Sequence, residues 1–255
     1  MRNKITIGLL VAIFMYGFLI PQINAGDSED SGASIEKMEY EGLLKLVKER
    51  RSIRNFKPDP IPDDYIKKIV EAARWAPSGF NSQLWEFVVV RKPELKNRIA
   101  EIITGSSSGK AKPSAKPNSH LANFSKAPAF ILMLGDMRVR DYGPGGMKTD
   151  DHRWLWTYLP SLSVAYQHMS LAATSLGLGS QWLSAAIGNQ KAEKQLRELL
   201  GIPEEMVFFH MFIVGFPDEE PRDKKMRPLE EMLHFDDCGI EDFRTREQVE
   251  AFFRR

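Results

Sequence analysis

Three arginines and a serine fall within five positions of the 255-residue chain, at Arg50, Arg51, Ser52 and Arg54. A guanidinium is planar, always charged and presents paired donors, which suits phosphate and the carbonyl edge of a ring system. Arg50 and Arg54 are four apart, so at a helix end they project together. Alone, such a run also describes a solvated basic patch following a helix. A second cluster, Ala76 to Phe87, places Ser78, Gly79, Asn81, Ser82 and Gln83 immediately before a β-branched run. Short polar chains in such a loop let a ligand approach the backbone, and side-chain amides both donate and accept. A polar turn joining a helix to a strand has the same composition. In a third cluster, Trp182, Leu183, Ser184 and Ala185 follow Gly177-Leu178-Gly179. Gly-x-Gly is commonly a helix end, and no strand is expected before it to open a dinucleotide phosphate loop. In a fourth, Lys225 and Arg227 alternate in an extended segment and point the same way, as a phosphate contact or as a solvated pair.

Other chemistries are poorly supplied. The single cysteine, Cys238, excludes an internal disulfide and any cysteine-based metal cluster, and the five histidines lack paired metal spacing. A formal net charge of +1 gives no bulk basic character for nucleic acid. Hydrophobic residues at 43% and charged residues at 27% describe a globular body with a core.

Elements to position these groups follow from periodicity. Apolar residues from Ile35 to Val47 fit a helical stripe running to Arg50. Asp63-Asp64 are expected to cap a second helix reaching about Trp75, and Pro93 opens a third to Ile103. Phe87 to Arg91, Ala129 to Leu134 and Val207 to Val214 read as three strands, the last apolar nearly throughout and so central. Leu159 to Leu176 is a strongly apolar helix, and Lys191 to Leu200 an amphipathic one closed by Gly201. Thr104 to Ser119 holds nothing apolar larger than alanine and reads as a loop. The segments 104–125 and 136–158 are candidate substrate lids, with Phe124, Trp154, Trp156 and Tyr158 placed to stack on an aromatic acceptor or to pack at the core's edge.

The N-terminus reads differently. Arg2 and Lys4 precede an uncharged apolar run from Ile5 to Ile20, and Pro21 and a polar stretch follow. This fits a signal peptide over residues 1–25 or an uncleaved anchor, being a little short of the ~20 residues of a comfortable span. Residues 26–35 are a polar spacer and 36–255 the body. Both readings send the body across or onto a membrane that it contacts only through residues 5–20. Met1-Arg2-Asn3-Lys4 has no twin arginine for export of a cofactor-loaded body, so an anchor with a cytoplasm-facing body stays open.

In order and spacing, RRSIRNF, APSGFNSQLWEFVVV, GLGSQWLSA and KKMRPLEE together resemble the nitroreductase family over about residues 40–255. The resemblance implies an α+β fold, a central mostly antiparallel sheet flanked by helices, and an intertwined homodimer with FMN at the interface. It implies that Arg50, Ser52 and Arg54, with Arg51 beside them, contact the FMN phosphate, ribityl chain or ring carbonyls. Asn81 would face the pyrimidine edge, with Ser78, Gly79, Ser82 and Gln83 lining that loop. Trp182, Leu183, Ser184 and Ala185 would run along one ring face, and Lys225 and Arg227 would close on the phosphate. Related enzymes often carry Glu-Gly where this chain has Ser184-Ala185; the main-chain donors survive that change. The implied activity is ping-pong hydride transfer from NAD(P)H through FMN to a nitroaromatic, a quinone or a similar acceptor. Reductive dehalogenation or another specialised flavin reaction on the same scaffold, and a non-catalytic flavin-holding role, are the alternatives.

Overall fold

The structure, a computed structural model, describes residues 40–105, 123–143, 151–184, 189–221 and 223–254, and of 151–154 the backbone alone. The expected signal or anchor at 1–25, the polar spacer, the centre of the 104–119 loop and Ala185 lie outside the described residues. Among the described residues no helix is long and apolar enough to cross a membrane.

Among the described residues four strands form one antiparallel sheet: β1 (Trp85–Val90), β2 (Ala129–Asp136), β3 (Gly179–Leu183) and β4 (Met206–Gly215), in the order β1-β2-β4-β3. The three apolar runs are three of these strands, and the run Val207 to Val214, apolar but for His210, is indeed internal. β3 was not expected. Its sequence GSQWL is polar and opens on glycine, so it resembles the tail of a helix cap more than a strand.

Residues of β2 and β4 alternate between two cores because successive side chains on a strand face opposite ways. Ile131, Met133, Phe212 and Val214 join one core, beneath α2 (Asp63–Arg74) and α5 (Asp151–Ser175). Phe130, Leu132, Leu134 and Ile213 join the other, beneath α3 (Pro93–Thr104) and α6 (Gln190–Leu200). A sheet covered on both faces must be apolar on both, which is why β2 shows no polar alternation. α2 buries Ile66, Ile69 and Ala73, one stripe at helical spacing. Pro62 is its N-cap, so Asp63 and Asp64 lie in the first turn and favour it through the helix dipole instead of capping it. α1 (Tyr40–Glu49) buries none of its residues.

α5 reaches further back than expected. The charged start DDHRWLWT is already helical from Asp151, so Trp154, Trp156 and Tyr158 belong to a helix and not to a loop. The short helix α4 (Val139–Tyr142) lies within the 136–158 segment expected as a lid. A small C-terminal helix, α7 (Arg246–Phe253), is started by a capping box between Thr245 and Gln248.

Candidate functional site

The first cluster is laid directly along the third. Ile53 N–H donates to the Ser180 carbonyl at 2.9 Å, and Ser52 makes a parallel bridge to Ser180, so Arg50–Arg54 covers the outer edge of β3. Close approach requires Gly179: a Cβ there would lie 2.5 Å from Ile53 Cγ1 and 2.7 Å from its Cβ. The neighbouring Gly177 has the other use of glycine, a φ of +73° that ends α5. With Ile53 buried, Ser52 and Arg54 stay exposed on the opposite side of the extended segment.

Glu219 fixes this segment. Its carboxylate accepts from Arg54 N–H at 2.5 Å, from Asn55 N–H at 3.2 Å and from Asn55 Nδ2 at 2.7 Å. Asn55 Oδ1 in turn accepts from Asn123 Nδ2 at 2.8 Å. The carboxylate is thus spent on main chain and amide, and the three guanidiniums are left for something else. Arg51 donates only to the Lys48 carbonyl at 3.0 Å and Arg54 to that of Ser52 at 3.3 Å. Among the described residues none of Arg50, Arg51 and Arg54 is ion-paired to a carboxylate.

Behind this edge stands an aromatic cluster. Tyr166 of α5 donates its hydroxyl to the Gln181 carbonyl at 3.0 Å, and its ring centroid lies 3.8 Å from that of Trp182. Burial pushes the Tyr166 phenol well above its usual pKa, and the nearby Arg50 charge acts in the opposite sense. His210 completes the cluster, 4.6 Å from Trp182 between ring centroids. It reaches the α5 side through a bulge: Met133 pairs with His210 and Leu134 with Phe208, so Phe209 is extra and shares a face with His210. His210 Nδ1 is buried with no hydrogen-bond partner among the described residues, and burial lowers the ring's pKa from 6.5 to about 4. The unfolded chain therefore takes up a proton first as pH falls, and stability is lost between about pH 6.5 and 4. The thermal midpoint should drop across that window, and His210→Phe should flatten the drop; parallel pH profiles for the two proteins would contradict this.

The second cluster is held by α5. Gly79 N–H donates to Ser161 Oγ at 3.1 Å, which itself donates to the Thr157 carbonyl at 2.7 Å. Any Cβ on Gly79 would overlap Thr157 Cγ2. Gln83 N–H donates to Ser78 Oγ at 3.0 Å. Within this frame Phe80, Asn81 and Gln83 have φ of 59°, 53° and 45°, a left-handed conformation costing about 1–3 kcal/mol per non-glycine residue. Among the described residues Ser82 Oγ is buried without a hydrogen-bond partner. Such local strain persists only where surrounding contacts enforce it, and it gathers at binding sites. From Thr157 to Tyr166 is nine residues of α5, about 14 Å of helix axis. One helix, which carries Pro160 between these two points, thus links the second cluster to the first and third.

Several expected site residues are placed otherwise. Phe124 is 1% exposed and packs against Phe130, and Tyr158 is 4% exposed with its ring over Gly135, so neither can stack on a substrate. Leu183 is buried in the second core, which leaves only its main chain for a ligand. Trp156 is 69% exposed, whereas the side chain of Trp154 lies outside the described residues. Arg227 pairs with Glu231 at 3.4 Å and donates to its carbonyl, and Lys225 is exposed. Glu219, Asn123, Tyr166, Ser161 and His210 were not singled out from sequence. Asn55 sits inside RRSIRNF, but nothing separates Glu219 from its acidic neighbours Asp218 and Glu220.

Unpaired guanidiniums for a phosphate, a hydroxyl at Ser52, amides at Asn81 and Gln83 and an orphaned Ser82 hydroxyl fit a phosphorylated, polar-edged ring system such as a flavin nucleotide. Comparison with known proteins agrees. The model of the Nitroreductase family matches residues 47–216. An NADH dehydrogenase/NAD(P)H nitroreductase of Archaeoglobus fulgidus is 36% identical over 180 residues, covering 71% of this chain and 88% of that protein. An FMN reductase (NAD(P)H) of Bacillus subtilis is 25% identical over 198 residues, 75% of this chain and 72% of its own length. Among solved structures, an FMN-dependent nitroreductase from Clostridium difficile superposes with a TM-score of 0.57 at 26% identity, over 76% of this chain and 99% of that one.

Proposed function

Because this chain belongs to the nitroreductase family, we propose that it binds FMN along Arg50–Arg54, the 78–83 loop and the edge of β3, and reduces a nitroaromatic, quinone or similar acceptor with NAD(P)H in two alternating half-reactions. Membership makes it a flavin-using NAD(P)H oxidoreductase with the family's α+β fold. The observation that carries the FMN assignment is the set of three guanidiniums at Arg50, Arg51 and Arg54, none of them ion-paired among the described residues, on a segment immobilised by Glu219 and Ser180.

When bound, FMN supplies the hydride relay between nicotinamide and acceptor. The protein binds and orients. Arg50, Arg51 and Arg54 hold the phosphate and the ring's carbonyl edge, and their charge favours negative charge gathering there. Ser52 donates to the phosphorylated chain. Asn81 and Gln83 meet the pyrimidine edge, with Ser78, Gly79 and Ser82 beside them. Trp182 and the main-chain N–H of Ser184 flank one face. No side chain is assigned as a general acid or base.

A second copy of the chain belongs to this reading. The segment from Met226 to Phe253 has no buried residue, and Leu229, Phe235, Ile240 (90% exposed) and Phe253 present more apolar surface than a monomer usually leaves bare. A homodimer covers this arm and brings Lys225 and Arg227 to a phosphate. Sedimentation at micromolar protein checks it, a monomer being the contrary result. The apolar run at 5–20 is the address or anchor of the 36–255 body, and protease mapping of topology reads its side.

The test of the activity is anaerobic mixing of FMN-loaded protein with NADPH and, separately, NADH. Bleaching of the visible flavin band by either, and its return on adding menadione, is expected. Flavin that stays coloured with both donors overturns the assignment.

A further inference from the structure

We infer that Asn123 is a positioning residue for the cofactor: by orienting the Asn55 amide it steers Glu219, and with it the main chain that carries Arg54. The inference rests on the flavin reading above and deepens it.

Asn123 precedes a single helical turn, Phe124–Lys126, at the position where an asparagine side chain ordinarily caps. It makes no capping bond there. Among the described residues its side chain has one hydrogen bond, which crosses 68 residues of sequence, from Nδ2 to Asn55 Oδ1 at 2.8 Å. The donor stands on a fixed base. Phe124, 1% exposed, anchors the turn in the core beneath α3 and α6. The Asn123 carbonyl accepts from Lys126 N–H at 3.0 Å, and Lys96 of α3 donates to the Ala127 carbonyl at 2.6 Å.

That donor decides which way the Asn55 amide faces. A carboxamide carries an oxygen on one side and an NH2 on the other, and only the NH2 suits a carboxylate. Asn123 occupies the oxygen, so the NH2 is presented to Glu219 Oε2 at 2.7 Å. Glu219 Oε1 is then turned to the main chain, where it accepts from Arg54 N–H at 2.5 Å and Asn55 N–H at 3.2 Å. The Asn55 carbonyl accepts from Asp218 N–H at 3.0 Å, so the two segments are tied in both directions. Arg54 has little else to set its course: among the described residues its guanidinium meets only the Ser52 carbonyl, at 3.3 Å. A binding group whose base is held beforehand loses less freedom when the ligand arrives. A line from Asn123 through Asn55 and Glu219 to Arg54 thus connects a packed core to one guanidinium of the proposed FMN site.

The experiment titrates FMN into full-length apoprotein by flavin fluorescence, for Asn123→Ala, Asn123→Ser, Arg54→Ala and the double variant Asn123→Ala with Arg54→Ala. Asn123→Ala should raise the FMN dissociation constant about 3–10-fold. Serine keeps a shorter donor and should recover part of the loss. In the Arg54→Ala background Asn123→Ala should cost less than about 2-fold more, because the side chain it acts through is gone. An asparagine that merely supports the fold gives the same loss in both backgrounds. Without flavin, the Arg54 and Asn55 amides should exchange hydrogen about 3–10-fold faster in Asn123→Ala, while Ile53, bonded to Ser180, keeps its rate. Wild-type FMN affinity in Asn123→Ala overturns the inference, as does an equal loss without Arg54 or unchanged exchange at Arg54 and Asn55. Should Asn123→Ala not fold, Asn123→Ser is compared in the two Arg54 backgrounds in its place, with the same outcomes deciding. If the wild type binds FMN and is bleached by NAD(P)H while the Asn123 variants behave as wild type, the flavin reading stands and the relay falls. If the wild type binds no FMN, both fall.

Discussion

Gly179→Ala is expected to lower the thermal midpoint by about 3–10 °C and to raise the FMN dissociation constant by at least about 10-fold. The added methyl would sit 2.5 Å from Ile53 Cγ1 and 2.7 Å from Ile53 Cβ. Ile53 is β-branched, so rotating χ1 merely exchanges one clash for another. Nor can its backbone retreat, because Ile53 N–H is bonded to the Ser180 carbonyl at 2.9 Å. Something must yield, and overpacking of a tight site costs about 1–3 kcal/mol. The cheapest relief is to lift Arg50–Arg54 off β3, which disperses the guanidiniums assigned to the phosphate. Calorimetry and fluorescence titration with FMN read the two effects. Ile53→Ala in the same chain should restore part of the loss, because the two residues are in contact and their effects do not add. A Gly179→Ala protein with wild-type midpoint and FMN affinity would show that the segment is not clamped as described.

Glu219→Ala attacks the same segment from its other end. The carboxylate accepts three hydrogen bonds, two from the main chain of Arg54 and Asn55 and one from the Asn55 side chain. Bonds to a charged acceptor are worth about 1.5–3 kcal/mol each when protected, and less where solvent reaches them as it does here. FMN affinity should fall about 10–100-fold. Removing an acid beside arginines ordinarily strengthens anion binding by simple charge arithmetic, so the sign decides between the two effects. If the FMN dissociation constant falls, Glu219 opposes the phosphate and does not position its ligands. Glu219→Gln should lie between. Its amide oxygen still accepts from the two main-chain donors, while its NH2 faces Asn55 Nδ2, and Asn55 cannot turn its oxygen inward without giving up Asn123.

How much was legible followed from how each element is stabilised. β1, β2 and β4 are buried on one face or both and are spelled in valine, isoleucine and phenylalanine, so their strands show in the sequence. β3 is stabilised by what lies beside it. Gly179 is there for Ile53, and Gln181 is buried beneath Tyr166, neither of which a local pattern records. The start of α5 is charged because it projects beyond the core, so the periodicity announces the helix only from Leu159. In the sequence Phe124 and Tyr158 read as lid aromatics because polar, glycine-containing loops adjoin them. Burial of an aromatic depends on the sheet it meets, and nothing local to Phe124 or Tyr158 records that they lie against Phe130 and Gly135 of β2. The basic segment and the 78–83 loop were legible because ligand-binding groups must be polar and local. Glu219 was not, since it acts across 164 residues on a backbone.

The bridge from Ser52–Ile53 to Ser180 has a bearing on the fate of the chain before it acquires its cofactor. Among the described residues β3 ends the sheet, and beyond it the row of peptide groups is met by Ser52 and Ile53 of the basic segment. An uncovered edge strand is a template onto which another chain's backbone can add. The residues assigned to the phosphate therefore also act as a guard rail. Chains whose basic segment is loosened, by flavin starvation or by substitution at Gly179 or Glu219, will be lost to aggregation sooner than to inactivity. Yield of soluble protein should track flavin supply in the expressing cell.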